Sequence, residues 1–194
     1  MADFTLNVKA DYKAMLRDMD NVQRRIAPAA AAAALNKTGA TARTSATRTL
    51  AREKKVSPQR LVRDRLTLRK AHRNALTVTI ALTKLTIPLI ELGEPRQTRS
   101  GVRVKRHDVP GGFVATSPSG HRGVFRRTGA QKRLTRQGRY AGTGILREPI
   151  AENRIFLQPL AGEIILRELT GPKGRQSWSA NLTRELKWRL EKLG

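Results

Sequence analysis

The chain has 194 residues, with 39 Lys and Arg against 15 Asp and Glu, a formal net charge of +24 and a pI of about 11.7. That length fits one domain, or one domain with an arm, able to bury roughly 70 % of its unfolded surface without cross-links. There is no cysteine, which excludes disulfides, thiolate metal sites and Cys nucleophiles together.

The first residues carry two acids, two lysines and no apolar core segment, so they do not read as a secretory signal. The expectation is a chain that stays in the cytosol unless carried out of it. Phe4, Leu6 and Val8 alternate with polar residues, the period of a short strand. Asp11 can cap a helix over 11–26, with Met15, Leu16, Met19, Val22 and Ile26 on one face. Pro28 suits the first turn of a second helix, which the alanine run 29–34 favours strongly and which should reach about Lys54. The longest apolar run, 27–35, is far shorter than the ~20 residues that span a bilayer.

Two readings of Ala29, Ala30, Ala33 and Ala34 stand: a smooth face for a close-packed helix or subunit, or simply a stable helix. The continuation is rich in Thr and Ser, poor helix formers that need tertiary or intersubunit support.

Val56-Ser57-Pro58-Gln59 reads as an extended residue, an N-cap and a Pro at the first helical position. The short helix that follows carries Arg60, Arg63 and Arg65. Leu66 and Leu68, then Leu76, Val78, Ile80 and Leu82 beyond a basic turn with Arg69 and Lys70, alternate as two strands. Leu85, Ile87, Leu89, Ile90 and Leu92 continue the apolar signal, but Pro88 restricts it to an edge strand or packed loop. Residues 94–111 hold Arg96, Arg99, Arg103, Lys105 and Arg106 around only Val102, Val104 and Val109, as in a mobile basic loop or an extended protruding hairpin.

Phe113 and Ala115, then Val124 and Phe125, read as a second hairpin, bearing Arg122, Arg126 and Arg127. Another basic stretch has Lys132, Arg133, Arg136 and Arg139. Ile145, Leu146, Ile150, Ile155, Phe156 and Leu157 return to the core. Ile164, Ile165 and Leu169 suit one helix, Gly171-Pro172-Lys173-Gly174 a turn, and Leu182, Leu186, Leu190 and Leu193 a terminal helix from about Ser179. The order predicts one α+β domain: long N-terminal helices on a mostly antiparallel sheet, basic protruding loops and a C-terminal helix. Its parts are a helical portion 1–56, a sheet core 57–157 with the basic loop or hairpin 94–111, and a helical segment 158–194.

The charge is concentrated. Residues 51–75 hold nine basic and two acidic side chains, and residues 96–140 twelve and one. Of the basic residues 27 are Arg, whose planar fork pairs two-pronged with phosphate or carboxylate. Any single one can be a solvated surface charge; together they point to an anionic partner, nucleic acid or an acidic protein surface.

Catalytic constellations do not assemble. His72, His107 and His121 are isolated, and Asp108 is the one acid in 95–147, so that region lacks a carboxylate cluster for a metal. Gly171-Pro172-Lys173-Gly174 lacks phosphate-loop spacing, Gly142-Thr143-Gly144 lacks a third glycine, and Ser117, Ser119 and His121 share one turn. No cofactor, metal or small-molecule substrate is expected. Eight aromatic residues do not interleave with the basic runs, and no helix-turn-helix or finger spacing occurs. Contact with DNA would be to phosphates, its affinity falling by about 10³–10⁵ between 50 and 200 mM salt if ~6–10 phosphates are engaged.

The serial order of features resembles the minor tail protein Z (tail completion) family of lambda-like long-tailed phages. The likeness lies in the run 29–35 followed by Asn36-Lys37, in Ala51-Arg52-Glu53-Lys54-Lys55-Val56, the basic helix 60–65 and the strand 66–71. It continues through Ile87-Pro88-Leu89-Ile90-Glu91-Leu92-Gly93, the basic insertion after it, and Gly112-Phe113-Val114-Ala115 leading to Val124-Phe125-Arg126-Arg127. The resemblance implies a virion protein at the head-proximal end of the tail, near the neck, made in the host cytoplasm. Its implied partners are tail terminator, tail tube and head-connector ring proteins and the genome DNA end, with six copies in a ring. A free cytosolic nucleic-acid-binding protein is the competing reading, motivated by charge alone.

Overall fold

The computed structural model describes residues 20, 22–117, 120–129, 132–133, 146–147 and 150–192. The expected strand at Phe4, Leu6 and Val8, most of the helix 11–26, and Ile145, Leu193, Arg136 and Arg139 lie outside them. The fold is α+β. Antiparallel pairs join Thr86–Pro88 to Arg154–Phe156, Arg96–Thr98 and His107–Pro110 to Gly101–Val104, Gly112–Thr116 and Ile150–Glu152 to Arg122–Arg127, and Lys132–Arg133 to Leu146–Arg147. The described residues divide into two compact units, those within 1–46, 66–81 and 162–194 and those within 47–65 and 82–161.

A π-helical turn at Val22–Ile26 leads into α1, Ala27–Glu53, which ends within a residue of the expected position. In its Thr-rich half the hydroxyls of Thr41 and Thr44 are satisfied by the carbonyls of Lys37 and Ala40 at 3.1 and 2.9 Å. Support comes from packing, with Thr38 and Thr47 buried within the chain. Burial recurs at every fourth residue, Ala30, Ala34, Thr38, Ala42, Ala46 and Leu50. A helix turns about 100° per residue, so this stripe drifts about 40° per step and winds around the axis.

In the first unit β1, Leu66–Arg69, pairs with β2, Thr79–Leu82. Leu76, expected in the second strand, precedes it and is exposed. Asn36 uses its side-chain amide as a peptide would, donating to the Ala71 carbonyl at 3.0 Å and accepting from the Ala71 N–H at 2.8 Å. The helices α2, Arg60–Arg63, in the second unit, and α3, Leu160–Thr170, and α4, Pro172–Glu191, complete the helical set.

The last helix begins seven residues before the expected Ser179. Pro172 occupies its first turn, where a missing N–H costs nothing. Gly174 lies inside the helix, buried, and a Cβ there would collide with the carbonyl oxygens of Glu168 and Leu169. The glycine therefore serves the close approach of α3 and α4 and does not make a turn.

Helix α2 is one turn long, and its N-cap is Gln59 in helical backbone without a side-chain cap bond; the expected Ser57 cap is two residues too early. The second unit continues with β3, Thr86–Pro88, a 3₁₀ turn at Leu89–Leu92, and the meander β4, Arg96–Thr98, β5, Gly101–Val104, and β6, His107–Pro110. Pro88 ends a strand in a two-stranded sheet with β12, Arg154–Phe156, where no central ladder is lost.

Residues 94–111 thus take the extended alternative, and their three valines are all buried. Strands β7, Gly112–Thr116, and β8, Arg122–Arg127, form the expected hairpin with Phe113 opposite Phe125, ring centroids 6.2 Å apart. The edge strand β11, Ile150–Glu152, joins β8, and Lys132–Arg133 (β9) pairs with Leu146–Arg147 (β10). The core includes Leu50, Val62, Ile87, Leu92, Val104, Val124 and Leu157. Ile150 and Phe156 do not return to it: both sit on short edge strands and are more than half exposed.

Candidate functional site

The meander concentrates the charge by simple pleat geometry. Alternation turns Val102 and Val104 inward and leaves Arg103 outward, while the register sets Arg96 across from Arg103 and Arg103 across from Asp108. Arg103 Nε donates to Asp108 Oδ1 at 2.5 Å and Nη2 to Oδ2 at 3.2 Å. The hydrogen bond from Arg103 holds the Asp108 carboxyl below its ordinary range, and the same bond raises the guanidinium's.

Arg96 has no ion-pair partner among the described residues. Like charges directly opposed across a ladder are unfavourable. Asp108 already offsets the charge of Arg103, so Arg96 is the member an anion would complement. Arg99 lies in the turn between β4 and β5, and Lys105 and Arg106 form the turn between β5 and β6, all exposed.

Elsewhere in this unit Arg60 faces Asp64 at 3.7 Å and Arg63 is exposed. Arg122 meets Glu94 at 2.7 Å, and Arg126 and Arg127 are exposed at the end of β8. Glu152 is largely buried between His121, 2.9 Å away, and Arg154, 2.5 Å away. Burial raises its carboxyl, and the hydrogen bonds from His121 and Arg154 more than offset this, leaving it below the usual range.

Several expected site residues are placed differently. Arg65 is 6 % exposed. Its guanidinium donates to Thr86 O at 3.0 Å, Leu61 O at 2.7 Å and Glu91 Oε2 at 2.7 Å, so its fork is spent inside the fold and is not offered to a partner. Arg69 and Lys70 are exposed in the first unit, at the end of β1. Lys132 and Arg133 pair by backbone with Leu146 and Arg147. Ala30 and Ala34 have no exposed surface, and Ala29 and Ala33 are half-buried; packing within the chain already covers the first pair, leaving it unavailable to a second subunit.

Two cations outside the expected set, Arg52 and Lys55, border a cleft with Lys105 and Arg106. The adjacent Lys54-Lys55 at a helix end was the available sequence signal, because cations there meet the negative end of the helix.

Among the described residues no group of three His, Asp or Glu is placed to hold a metal ion, and no helix is long and apolar enough to cross a membrane. The sequence profile described as prophage minor tail protein Z (GPZ) matches residues 10–191. The chain belongs to the minor tail protein Z family. It is therefore a structural protein of a bacteriophage tail. No curated protein and no solved structure matches the chain.

Proposed function

We propose that this tail protein completes the head-proximal end of the tail at the head–tail junction and helps position the genome end. The observation that carries the reading is the outward face of the β4–β6 meander, where Arg96 and Arg103 are opposed with Asp108 as their local counter-charge. With Arg103 paired to Asp108, Arg96 is the charge on that face that an anionic neighbour complements. Acidic surfaces of tail terminator, tail tube and head-connector rings are the main neighbours, and the DNA end is reached through phosphates without sequence preference. Charge of this kind contributes steering and register more than affinity.

Arg60, Arg63, Arg69, Lys70, Arg96, Arg99, Arg103, Lys105, Arg106, Arg122, Arg126, Arg127, Lys132, Arg133, Arg136 and Arg139 form the contact set in this reading. The chain acts as one tail-completion domain, present as a ring of six in the virion. Gold labelling of the chain in purified virions tests the location. Label at the neck is expected, and label confined to the distal tip, or absent from particles, overturns it. Tails that assemble normally while the isolated protein compacts duplex DNA in the cell would favour the free nucleic-acid-binding alternative.

A further inference from the structure

Helix α1 ends in a Schellman motif: Val56 N–H bonds to Ala51 O at 2.8 Å, and Lys55 N–H to Arg52 O at 3.1 Å. The residue after the cap adopts left-handed backbone in this motif and is usually glycine; here it is Lys55, at φ 52°. The two-residue turn between β5 and β6 likewise starts with a left-handed residue, Lys105, at φ 51°. Among the described residues these two are the non-glycine residues with positive φ. Each replaces the residue best suited to its backbone by one that carries a charge.

The fold brings the two together. Lys105 Nζ donates to Ser57 O at 2.9 Å and His107 Nε2 lies 3.3 Å from Lys55 O, so the turn is fastened to the loop after α1. Between them is a cleft of about 460 Å³, bordered by Arg52, Lys55, Lys105 and Arg106 with buried Ala51 and Val56 at its base. Arg52 is only 3.7 Å from Glu53 at an exposed site. Among the described residues neither Lys55 nor Arg106 has a side-chain partner.

We propose that this cleft takes a short acidic segment of a partner protein, with carboxylates on Arg52, Lys55 and Arg106 and an apolar side chain over Ala51 and Val56. The inference rests on the reading of the charged surface as a protein-contact face and names the partner's chemistry. A duplex is too wide for so confined a concavity. None of the described lining residues is aromatic, so a single strand would find no stacking platform. Ala51 and Val56 expose little of themselves, and the aliphatic stems of Arg52, Lys55 and Lys105 extend that floor, which suits a peptide side chain and not a phosphate backbone.

The test is fluorescence anisotropy on the full chain with a labelled, capped peptide of alternating glutamate and leucine. A lysine–leucine peptide and an oligothymidylate of equal length are comparators. Saturable binding of the acidic peptide is expected, weakened about tenfold in Lys55→Gly and in Arg106→Ala, each of which removes a charge-assisted contact. Lys55→Gly relieves left-handed strain, so it should melt at or above the parent temperature and separate lost binding from lost folding. Lys173→Ala, on the exposed start of α4, removes one charge far along the sequence and should leave affinity within about twofold.

Unchanged affinity in both cleft variants overturns the proposal, as does tighter binding of oligothymidylate with the same losses, which would make phosphate the occupant. Labelling at the neck combined with failed peptide binding removes the cleft assignment alone. Labelling absent from the neck removes the junction reading whatever the peptide does.

Discussion

Arg65 and Glu91, 26 positions apart in sequence, are joined at 2.7 Å by a guanidinium whose other donors go to the Thr86 and Leu61 carbonyls. Arg65 O also accepts from Thr83 N–H and Oγ1. Backbone and side chain of one arginine thus bind the α2–β1 junction to the segment that carries β3 and the 3₁₀ turn.

Replacing Arg65 by Met or Lys should therefore destabilise the chain. Met abandons two carbonyls and a carboxylate, while Lys makes one of the three contacts at best. Because the Glu91 side chain is 39 % exposed, water takes over part of the lost pairing, and a cost of about 2–3 kcal/mol is expected at the lower end for buried pairs. Urea unfolding checks it; a midpoint unchanged in both variants would contradict the internal role.

Glu185 should govern an acid transition. Its carboxylate accepts from Lys37 at 2.5 Å and from Arg189. The Lys37 hydrogen bond is the main reason its carboxyl lies below the ordinary value, burial opposing and the Arg189 bond assisting. A lowered folded value means that the native state binds fewer protons, so this stabilisation is present above about pH 4.3 and is lost as pH falls through the folded value. Glu185→Gln should flatten that part of the stability-against-pH curve, measured by thermal melts from pH 7 to pH 3.

Two glycines in neighbouring helices should respond with opposite signs. Gly174→Ala forces a methyl into the Glu168 and Leu169 carbonyls and should cost about 1–3 kcal/mol as overpacking. A Cβ at Gly162 in α3 meets nothing within 4 Å, so Gly162→Ala should gain about 0.5–1 kcal/mol. Differential scanning calorimetry of both variants compares them directly.

Arg96→Glu should separate folding from assembly. It turns a repulsive cross-strand pair with Arg103 into an attractive one, so the melting temperature should hold or rise. If the outer face meets an acidic neighbour, the same change lowers infectious titre in a complementation assay. A variant that melts no lower and is fully infectious would show that this face is idle.

The sequence was most legible where one residue type had a single physical meaning. Pro28 and the alanines announced α1, Pro88 confined its strand to an edge, and Phe113 and Phe125 marked a hairpin. It was least legible where a feature had two. Pro172 and Gly174 punctuate a turn as readily as they start a closely packed helix, and the carbonyls that decide between these belong to α3.

Val102, Val104 and Val109 were too few to reveal a sheet by period, although they are its buried face. In the site, nothing near Arg65 distinguishes it from Arg60 or Arg63, since its carboxylate comes from Glu91. Lys55 and Lys105 gain meaning only from backbone angles and from a fold that closes a gap of 50 positions.

The winding stripe along α1 makes the helix behave as a threaded rod. A slip by one turn would bring Leu50 to the place of Ala46 and the hydroxyl of Thr38 to that of Ala34, overfilling one slot and stranding a polar group in another. Rotation in place would carry Ala32, Gly39, Ala42, Ala46 and Leu50, which share a face about 80° wide, out of contact together. A helix with 11 alanines among its 27 residues, and so seemingly free to settle at many heights, has its position along and about its own axis set together.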